Sequence, residues 1–219
     1  MMLLRSRVIR HLVKRYSRHL LKRTQHVVET MSTKSIRDII THAELSRYHF
    51  TQLYALCRYL KPRVVVETGV GLGTSSLFIL QALADNGVGK LYSIDHPYAR
   101  YQSDAGIAID ESAYCAHSDR PGMLVPAKLY GRWKLLLGKS HKLLPVLCER
   151  LSHLDFFFHD SEHTYRNMLQ EYTHVWPHLR TRGVLASHDV EWNTAFQDFA
   201  ETVLKQPIVS HNVGLIIAS

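Results

Sequence analysis

Residues 63–85 constrain the fold of this 219-residue chain more than any other stretch. They read RVVVETGVGLGTSSLFILQALAD, which is a β-branched run, a turn with glycine at every second position, and an apolar stretch that starts with Thr and Ser. The first part predicts a buried strand and the last part a helix. Because glycine permits a tight turn and lets a ligand approach backbone amides, the unit predicts a strand, a loop and a helix around a ligand site.

The alternation of strands and helices continues to the end of the chain. Further strands are predicted at 90–95, 133–137, 155–160 and 184–189, with helices at 140–150, 165–178 and 194–205, and two short strands at 207–210 and 214–218. Helices of this length between strands predict right-handed crossovers. We therefore expect one α/β Rossmann-like domain, with a mostly parallel seven-stranded sheet, helices on both faces and a C-terminal antiparallel hairpin.

The N-terminal segment is basic, whereas the rest of the chain is balanced. Residues 1–23 hold eight cations and no acid, and the remainder holds 19 cations and 19 acids, so we expect no basic groove on the body. Apolar residues recur every four positions, which predicts a basic amphipathic helix or tail over 1–33, ahead of a domain over 34–219. This segment would cover an apolar edge of the domain, or contact an anionic membrane, an acidic partner or nucleic acid, or serve as a transit peptide.

The other compositional features exclude several classes of protein. Three widely spaced cysteines without a CxxC pair indicate neither a disulfide framework nor a zinc cluster. No apolar stretch approaches the roughly 20 residues needed to span a bilayer. We therefore expect a cytoplasmic protein, with peripheral membrane contact through residues 1–23 and a homo-oligomer both left open.

Two acids flank the predicted ligand site. Glu67 precedes the first glycine by two positions, and Asp95 ends the second predicted strand. In such sheets ligands bind beyond the carboxyl ends of the strands. An acid beside the glycine turn suits a cationic ligand such as a sulfonium amino acid, and a carboxylate after the second strand can accept hydrogen bonds from both hydroxyls of a ribose. Together they predict a nucleoside-containing cofactor.

From about residue 60 to 219 the chain resembles the class I S-adenosylmethionine-dependent methyltransferases, and within them the bacterial macrolide-sugar O-methyltransferases and cephalosporin-hydroxylase-like proteins. The resemblance rests on ETGVGLG, LYSID, the Gly138-Lys139-Ser140 step, HLDFFFHDSEHTY, LRTRGVLASHDVEWN and the closing hairpin. It implies that Glu67 holds the methionine end of S-adenosylmethionine and that Asp95 binds its ribose. The other implied cofactor-binding residues are Gly69, Gly71, Gly73, Thr74, Gly138, Ser140 and Asp160.

The ends of the fourth and fifth predicted strands suggest a metal site. Asp160 follows one strand and Asp189 the other, and neighbouring strands would let both carboxylates share a divalent cation such as Mg²⁺. The related sugar methyltransferases have the same D-x-x-H pattern, which implies Asp160 as a catalytic metal ligand and His163 as the base. Their second ligand position is usually an acidic pair, and here it reads His188-Asp189. The site would therefore bind its metal weakly, bind a transition metal that accepts an imidazole ligand, or bind no metal. Without a metal, the two aspartates would only cap strand ends.

The resemblance implies an O-methyltransferase that acts on a hydroxyl of a sugar, glycan or glycosylated metabolite, with or without help from a metal. Residues 96–132 form a connection long enough to be a lid-like insertion over the acceptor. One alternative is a nucleic-acid methyltransferase that uses the basic tail, although strand four ends in HDSE and lacks the Asn/Asp-Pro-Pro-aromatic element of base-methylating relatives. The other is a non-catalytic binding protein on the same fold.

Overall fold

The computed structural model describes residues 49–96 and 121–219, together with His19 and Lys22. Apart from His19 and Lys22, the predictions for the N-terminal segment 1–33 lie outside the described residues, and so do those for positions 97–120 of the insertion.

The described residues alternate between strands and helices as the sequence predicts. Short 3-10 segments at Ala127–Arg132 and Trp176–His178 precede the third and fifth strands. The elements are α1 (His49–Leu60), β1 (Val64–Thr68), α2 (Thr74–Asp85), β2 (Lys90–Asp95), β3 (Trp133–Leu137), α3 (Ser140–Leu151), β4 (Leu154–His159), α4 (Tyr165–Val175), β5 (Leu179–His188), α5 (Ala195–Thr202), β6 (Ile208–Ser210) and β7 (Val213–Ile217).

The strands form one seven-stranded sheet in the order β3-β2-β1-β4-β5-β7-β6. Strands β1 to β5 pair in parallel, and β7 pairs antiparallel with both β5 and β6. This confirms the predicted mostly parallel sheet with a C-terminal antiparallel hairpin. The strand order reverses between β1 and β4, and ligands of open α/β sheets bind at the carboxyl ends of the strands beside such a point.

Strand β5 starts earlier than the sequence pattern predicts. Leu179 already pairs with Leu154, and the register then shifts before Phe156 pairs with Val184. Residues 180–182 are polar and exposed, so a prediction based on apolar runs does not include them in the strand. Gly183 sits where a Cβ would lie 2.8 Å from the carbonyl oxygen of Arg180, which is the close backbone approach expected at a bulge. The strand also ends one residue before the predicted end, at His188.

Both faces of the sheet are covered, and the apolar side chains of β4 show why. Phe156, Phe157 and Phe158 are all fully buried although neighbouring residues point to opposite faces. Phe156 and Phe158 pack with α1 and α2, and Phe157 packs with α3, α4 and α5. A continuous apolar run is what a central parallel strand needs. Among the described helices, none combines the length and apolar character that a membrane crossing requires.

The C-terminal end of the predicted insertion is part of the domain. The Gly122 amide donates to the Gly71 carbonyl oxygen at 2.9 Å, and the Leu124 amide donates to that of Leu72 at 3.0 Å. Val125 and Leu129 are buried in the core between α2 and the sheet. Residues 121–132 therefore hold the glycine loop in place, and they are not a loose continuation of a lid.

Candidate active site at the carboxyl edge of the sheet

Backbone hydrogen bonds join the loops that follow the first four strands. The Gly69 amide donates to the carbonyl oxygen of Ile94 at 2.9 Å, the Gly138 amide to that of Asp95 at 2.8 Å, and the Asp160 amide to that of Thr68 at 2.8 Å. The structure thus brings the sequence-predicted cofactor positions to one edge. They are Gly69, Gly71 and Gly73 after β1, Thr74 and Ser140 as the first residues of α2 and α3, Asp95 at the end of β2, Gly138 after β3 and Asp160 after β4.

Two glycines of the loop are required by neighbouring protein backbone. Gly69 and Gly73 have φ values of 83° and 88°, which side chains disfavour. A Cβ on Gly69 would lie 1.9 Å from the carbonyl oxygen of Asp160, and one on Gly73 would lie 2.6 Å from the Cα of Gly122. The loop is therefore fixed between the end of β4 and residues 121–125, so packing within the protein by itself requires these two glycines.

Asp95 presents a carboxylate beside this loop. Its Oδ2 accepts a hydrogen bond from the Gly71 amide at 3.0 Å, and its Oδ1 accepts one from the His96 amide at 2.6 Å. Burial raises the pKa of Asp95, and the backbone donors oppose that rise. Each carboxylate oxygen accepts a second hydrogen bond readily, so the geometry fits a ligand with two neighbouring hydroxyls, such as a ribose.

Glu67 occupies a different environment from the ligand-facing one expected of it. Its side chain is fully buried, and its Oε1 accepts from Ser75 at 2.6 Å while its Oε2 accepts from Ser76 at 2.6 Å and Ser93 at 2.7 Å. Burial raises the pKa of this carboxyl to about 7, although the three hydroxyls oppose the rise. Trp133 donates to Ser93 at 2.9 Å and extends the network to β3. Glu67 therefore ties β1, β2 and the first turn of α2 together beneath the glycine loop.

The end of β5 and the loops after β4 and β5 bring two carboxylates and two imidazoles together. Nε2 of His163 lies 3.8 Å from Oδ1 of Asp160 and 3.7 Å from Oδ2 of Asp189. Nδ1 of His188 lies 3.1 Å from Oδ1 of Asp160 and 3.4 Å from Oδ2 of Asp189. The amide nitrogen of Asn193 donates to the His163 carbonyl oxygen at 3.0 Å, which fixes the loop. The sequence expectation that Asp160 and Asp189 reach the same edge thus agrees with their placement.

A third imidazole joins this cluster from α1. Nε2 of His49 lies 3.7 Å from Oδ2 of Asp160, and its ring centroid lies 4.0 Å from that of His188. No sequence motif includes His49, which is the first residue of a helix far upstream, so only the packing of α1 reveals it. The donor atoms of two sets, His49 with Asp160 and His188, and His163 with His188 and Asp189, lie within 4.8 Å of one another.

The surroundings keep Asp160 ionised and two of the imidazoles neutral. Burial acts to raise the pKa of Asp160, but the hydrogen bond with His188 and the nearby imidazoles hold it below its usual value. Burial lowers the pKa of His49 to about 4, and burial together with the charge of His159 lowers that of His163. At His188 the carboxylates outweigh burial and raise the pKa. Carboxylate oxygens and neutral imidazoles are ligands that divalent metals take, so Asp160 and His49 fit such an ion as they stand, and His188 fits it once it has released its proton.

A buried network supports this cluster from below. Glu171 is 1% exposed and accepts hydrogen bonds from the Thr68 hydroxyl, from Ser161 at 2.8 Å, from Asn167 at 3.2 Å and from Nδ1 of His159 at 2.8 Å. Burial acts to raise the pKa of Glu171, but the charge and hydrogen bond of His159 lower it to about 2. The network was not predicted, because Glu171 lies on α4 with no motif around it. It joins β1, β4 and α4 beneath the loop that carries Asp160 and His163.

Comparison with known families identifies the domain. A family model described as a methyltransferase domain matches residues 66–190, which is more than half of the chain. The chain belongs to this methyltransferase family. The matched residues include the glycine loop, Asp95, and the cluster of Asp160, His163, His188 and Asp189. The predicted membership of the methyltransferases is therefore confirmed.

Solved structures share the fold of this methyltransferase at low sequence identity. The SAH-bound methyltransferase PaMTH1 from Podospora anserina is 15% identical, with a TM-score of 0.54 over 92% of this chain and 96% of that one. An O-methyltransferase from Bacillus cereus in complex with SAH is 15% identical, with a TM-score of 0.53 over 88% and 96%. The O-methyltransferase TomG from Streptomyces achromogenes, involved in tomaymycin synthesis and in complex with SAM, is 15% identical, with a TM-score of 0.56 over 90% and 96%. No curated protein sequence matches the chain.

Proposed function

We propose that this methyltransferase transfers a methyl group from S-adenosylmethionine to a hydroxyl oxygen of a sugar, glycan or glycosylated metabolite, with the help of a divalent metal ion. One observation carries the proposal: His163 lies within 4 Å of two carboxylates at the same sheet edge as the glycine loop and Asp95. That edge combines a place for a nucleoside with a group that accepts a proton. S-adenosylmethionine supplies a methyl group on a positively charged sulfur.

The cofactor-binding part consists of the glycine loop, Asp95 and residues 138–140. Asp95 binds the ribose, because its two oxygens face the loop and are held by the amides of Gly71 and His96. Fold relatives bound to SAH or SAM support this assignment. We assign Glu67 a supporting role, since its oxygens are occupied by serine hydroxyls beneath the loop.

His163 is the proposed base. Its lowered pKa keeps the imidazole neutral at neutral pH, so it can take the proton of the acceptor hydroxyl. The imidazolium that forms is stabilised by Asp160 and Asp189, whose oxygens lie 3.8 and 3.7 Å from Nε2. Asn193 holds the backbone of His163 and so keeps the ring in this position.

The metal ligands follow from the role of His163. If His163 accepts the proton, the remaining donor set is His49, Asp160 and His188. Asp189, which the sequence suggested as a ligand, then serves the base. Two imidazoles and one carboxylate favour a transition metal over Mg²⁺, which prefers oxygen ligands. Such an ion lowers the pKa of a hydroxyl bound to it.

An exposed aromatic side chain beside the base supports a sugar acceptor. Trp192 is 52% exposed, and its ring centroid lies 5.3 Å from that of His163. A large aromatic ring at the rim of a site offers a flat apolar surface with one polar edge, which suits the apolar face of a sugar ring. The indole would position the acceptor without taking part in proton transfer.

Titration calorimetry with S-adenosylhomocysteine tests the cofactor assignment. We expect a dissociation constant in the micromolar range, where 1 μM corresponds to roughly −8 kcal/mol. Asp95→Ala should weaken binding at least tenfold. Glu149→Ala, which removes an exposed acid on α3, is the matched control and should leave binding unchanged. If the native protein does not bind at saturating ligand, the proposal fails.

Turnover with a panel of glycosylated acceptors tests the chemistry and separates an enzyme from a binding protein. His163→Ala should abolish turnover while S-adenosylhomocysteine affinity stays unchanged, and His174→Ala on α4 is the control. EDTA should abolish turnover, and Mn²⁺ should restore more of it than Mg²⁺. His49→Ala should reduce the bound metal that elemental analysis measures, and full activity in chelator would refute the metal role.

A further inference from the structure

A cavity of about 670 Å³ lies at the edge of the sheet opposite the proposed active site. It opens at the amino ends of β1, β2 and β3, and a five-residue strand places it roughly 17 Å from their carboxyl ends. We call it the amino-edge cavity. Its lining residues are Arg63, Gly87, Val88, Gly89, Lys90, Lys128, Gly131 and Arg132.

The parallel register explains why cations meet there. Val64 pairs with Lys90, and Leu91 pairs with Trp133, so the residues that start or precede these three strands lie side by side. Arg63, Lys90 and Arg132 therefore stand in a row, and the 3-10 segment before β3 adds Lys128. Four cationic residues thus line one concave surface at this edge of the sheet.

The shape of the cavity is fixed by backbone contacts. Nη1 of Arg132 donates to the Gly89 carbonyl oxygen at 3.1 Å, which holds the guanidinium at the wall. A Cβ on Gly89 would lie 2.3 Å from the Pro62 carbonyl oxygen, so the turn before β2 packs tightly against the residue before Arg63. Added Cβ atoms on Gly87 and Gly131 would meet nothing within 4 Å, so the cavity stays open beside these two residues.

The cavity wall carries no acid among the described residues that line it. At the neighbouring strand β4, an acid, Asp155, lies near the start of the strand. Its Oδ2 accepts hydrogen bonds from the amides of Arg63 and Val64 at 2.8 Å, and its Oδ1 lies 3.5 Å from Nη1 of Arg180. That carboxylate is already engaged outside the cavity. The balanced charge of residues 24–219 therefore hides a local group of cations that the charge sum does not predict.

We infer that the amino-edge cavity binds a ligand with two or more phosphoryl groups. Guanidinium groups match phosphate oxygens in a two-pronged geometry, and lysines add point charges. Four cations fit the charge of a diphosphate or triphosphate better than that of one carboxylate. The volume also lies within the range of small-ligand sites. The phosphoryl groups come either from a free polyphosphate or nucleotide, or from a phosphoinositide headgroup in a membrane.

Calorimetry with sodium tripolyphosphate and sedimentation with vesicles test the site in the full-length protein. One set of vesicles contains phosphatidylcholine with 5% phosphatidylinositol bisphosphate, and the other only phosphatidylcholine. The test variant is Lys90→Glu with Lys128→Glu, because both side chains are exposed. The control is Lys142→Glu with Arg150→Glu, which makes the same charge change at exposed positions of α3. Because residues 1–23 are present in all variants, their cations contribute equally.

We expect the test variant to weaken tripolyphosphate binding at least tenfold and the control less than twofold. A neutral pair, Lys90→Gln with Lys128→Gln, should give an intermediate loss, and S-adenosylhomocysteine affinity should show that each variant is folded. Loss of tripolyphosphate binding alone assigns a soluble ligand, and loss of vesicle binding as well assigns a headgroup. Equal effects of the test and control pairs, or no binding by the native protein, would overturn the inference.

Discussion

Replacing Glu67 by Gln should stabilise the protein at alkaline pH, although it removes a charge that three hydroxyls contact. The carboxyl is fully buried between β1, β2 and α2. A glutamine has the same shape, and serine hydroxyls can donate to its oxygen and accept from its nitrogen. The substitution therefore keeps the network and removes the cost of burying a negative charge.

The size of the effect follows from the pKa of Glu67, which burial raises from an ordinary value of 4.5 to about 7. The folded protein then holds a proton that the unfolded chain has lost between these two pH values. The free energy of unfolding must fall as pH rises through this window, and it falls by about 3 kcal/mol in total. Between pH 5 and pH 8 the native protein should lose about 2.5 kcal/mol relative to the Gln variant.

Urea unfolding at pH 5, 6, 7 and 8, followed by circular dichroism, measures this difference. Other titrating groups contribute equally to both proteins, so their effects cancel in the comparison. Near pH 5 the two proteins should differ by less than about 1 kcal/mol, and at pH 8 the Gln variant should be the more stable.

Glu171→Gln is the matched control, because Glu171 is equally buried but has its pKa lowered to about 2. A lowered pKa stabilises the fold above the ordinary value, and that stabilisation disappears only as pH falls towards 2. Glu171→Gln should thus destabilise the protein by about 3 kcal/mol both at pH 5 and at pH 8, because the buried Glu171 is ionised throughout this range and accepts four hydrogen bonds. If Glu67→Gln shifts stability by the same amount at every pH, or destabilises it at pH 8, the explanation of Glu67 is incorrect.

Three further results are expected. Gly69→Ala should destabilise the protein by at least about 3 kcal/mol in urea unfolding, because the added Cβ would overlap the Asp160 carbonyl oxygen. Gly87 has a similar positive φ but open space around it, so Gly87→Ala should destabilise the protein by only about 1 to 2 kcal/mol. Cys57 and Cys148 should resist iodoacetamide at pH 8 until the protein unfolds, because burial raises the pKa of both thiols, and mass spectrometry reports their labelling. Deleting residues 1–23 should leave S-adenosylhomocysteine affinity within twofold and reduce sedimentation with anionic vesicles; a lost cofactor affinity would make that segment part of the fold.

The sequence predicts the sheet well because the strands carry local patterns. The β-branched run of β1 and the aromatic run of β4 identify buried central strands, and the glycine turn places the first loop. It predicts the site only in part. Asp95, Asp160 and His163 lie at or after strand ends, so topology alone brings them to one edge, whereas His49 reaches that edge through the packing of a helix in which no motif marks it.

The reasons assigned to individual residues are harder to predict than their positions. The resemblance implied cofactor contact at Gly69, Gly71 and Gly73, and the structure adds a second reason for two of them, because the backbone of Asp160 requires Gly69 and that of Gly122 requires Gly73. The glycine pattern shows that the chain makes a sharp turn at positions that have no side chain. It does not show what approaches the turn, because the approaching residues are distant in sequence.

The net charge of the chain is likewise a poor guide to its ligands, because it does not show which charges lie together in the fold. Residues 24–219 carry equal numbers of cations and acids, yet several of these charges lie at opposite edges of the parallel sheet. Asp95 ends β2 and Asp160 and Asp189 follow β4 and β5 at the carboxyl edge, while Arg63, Lys90 and Arg132 lie where strands begin. In a parallel sheet, the residues that follow the strands gather at one edge and the residues that precede them gather at the other. The net charge of the chain adds the charges of both edges, although a bound ligand experiences the electrostatic field of only one of them. On this account the charges that bear on ligand binding are those of each sheet edge, and the ligands proposed for the two edges have opposite charges.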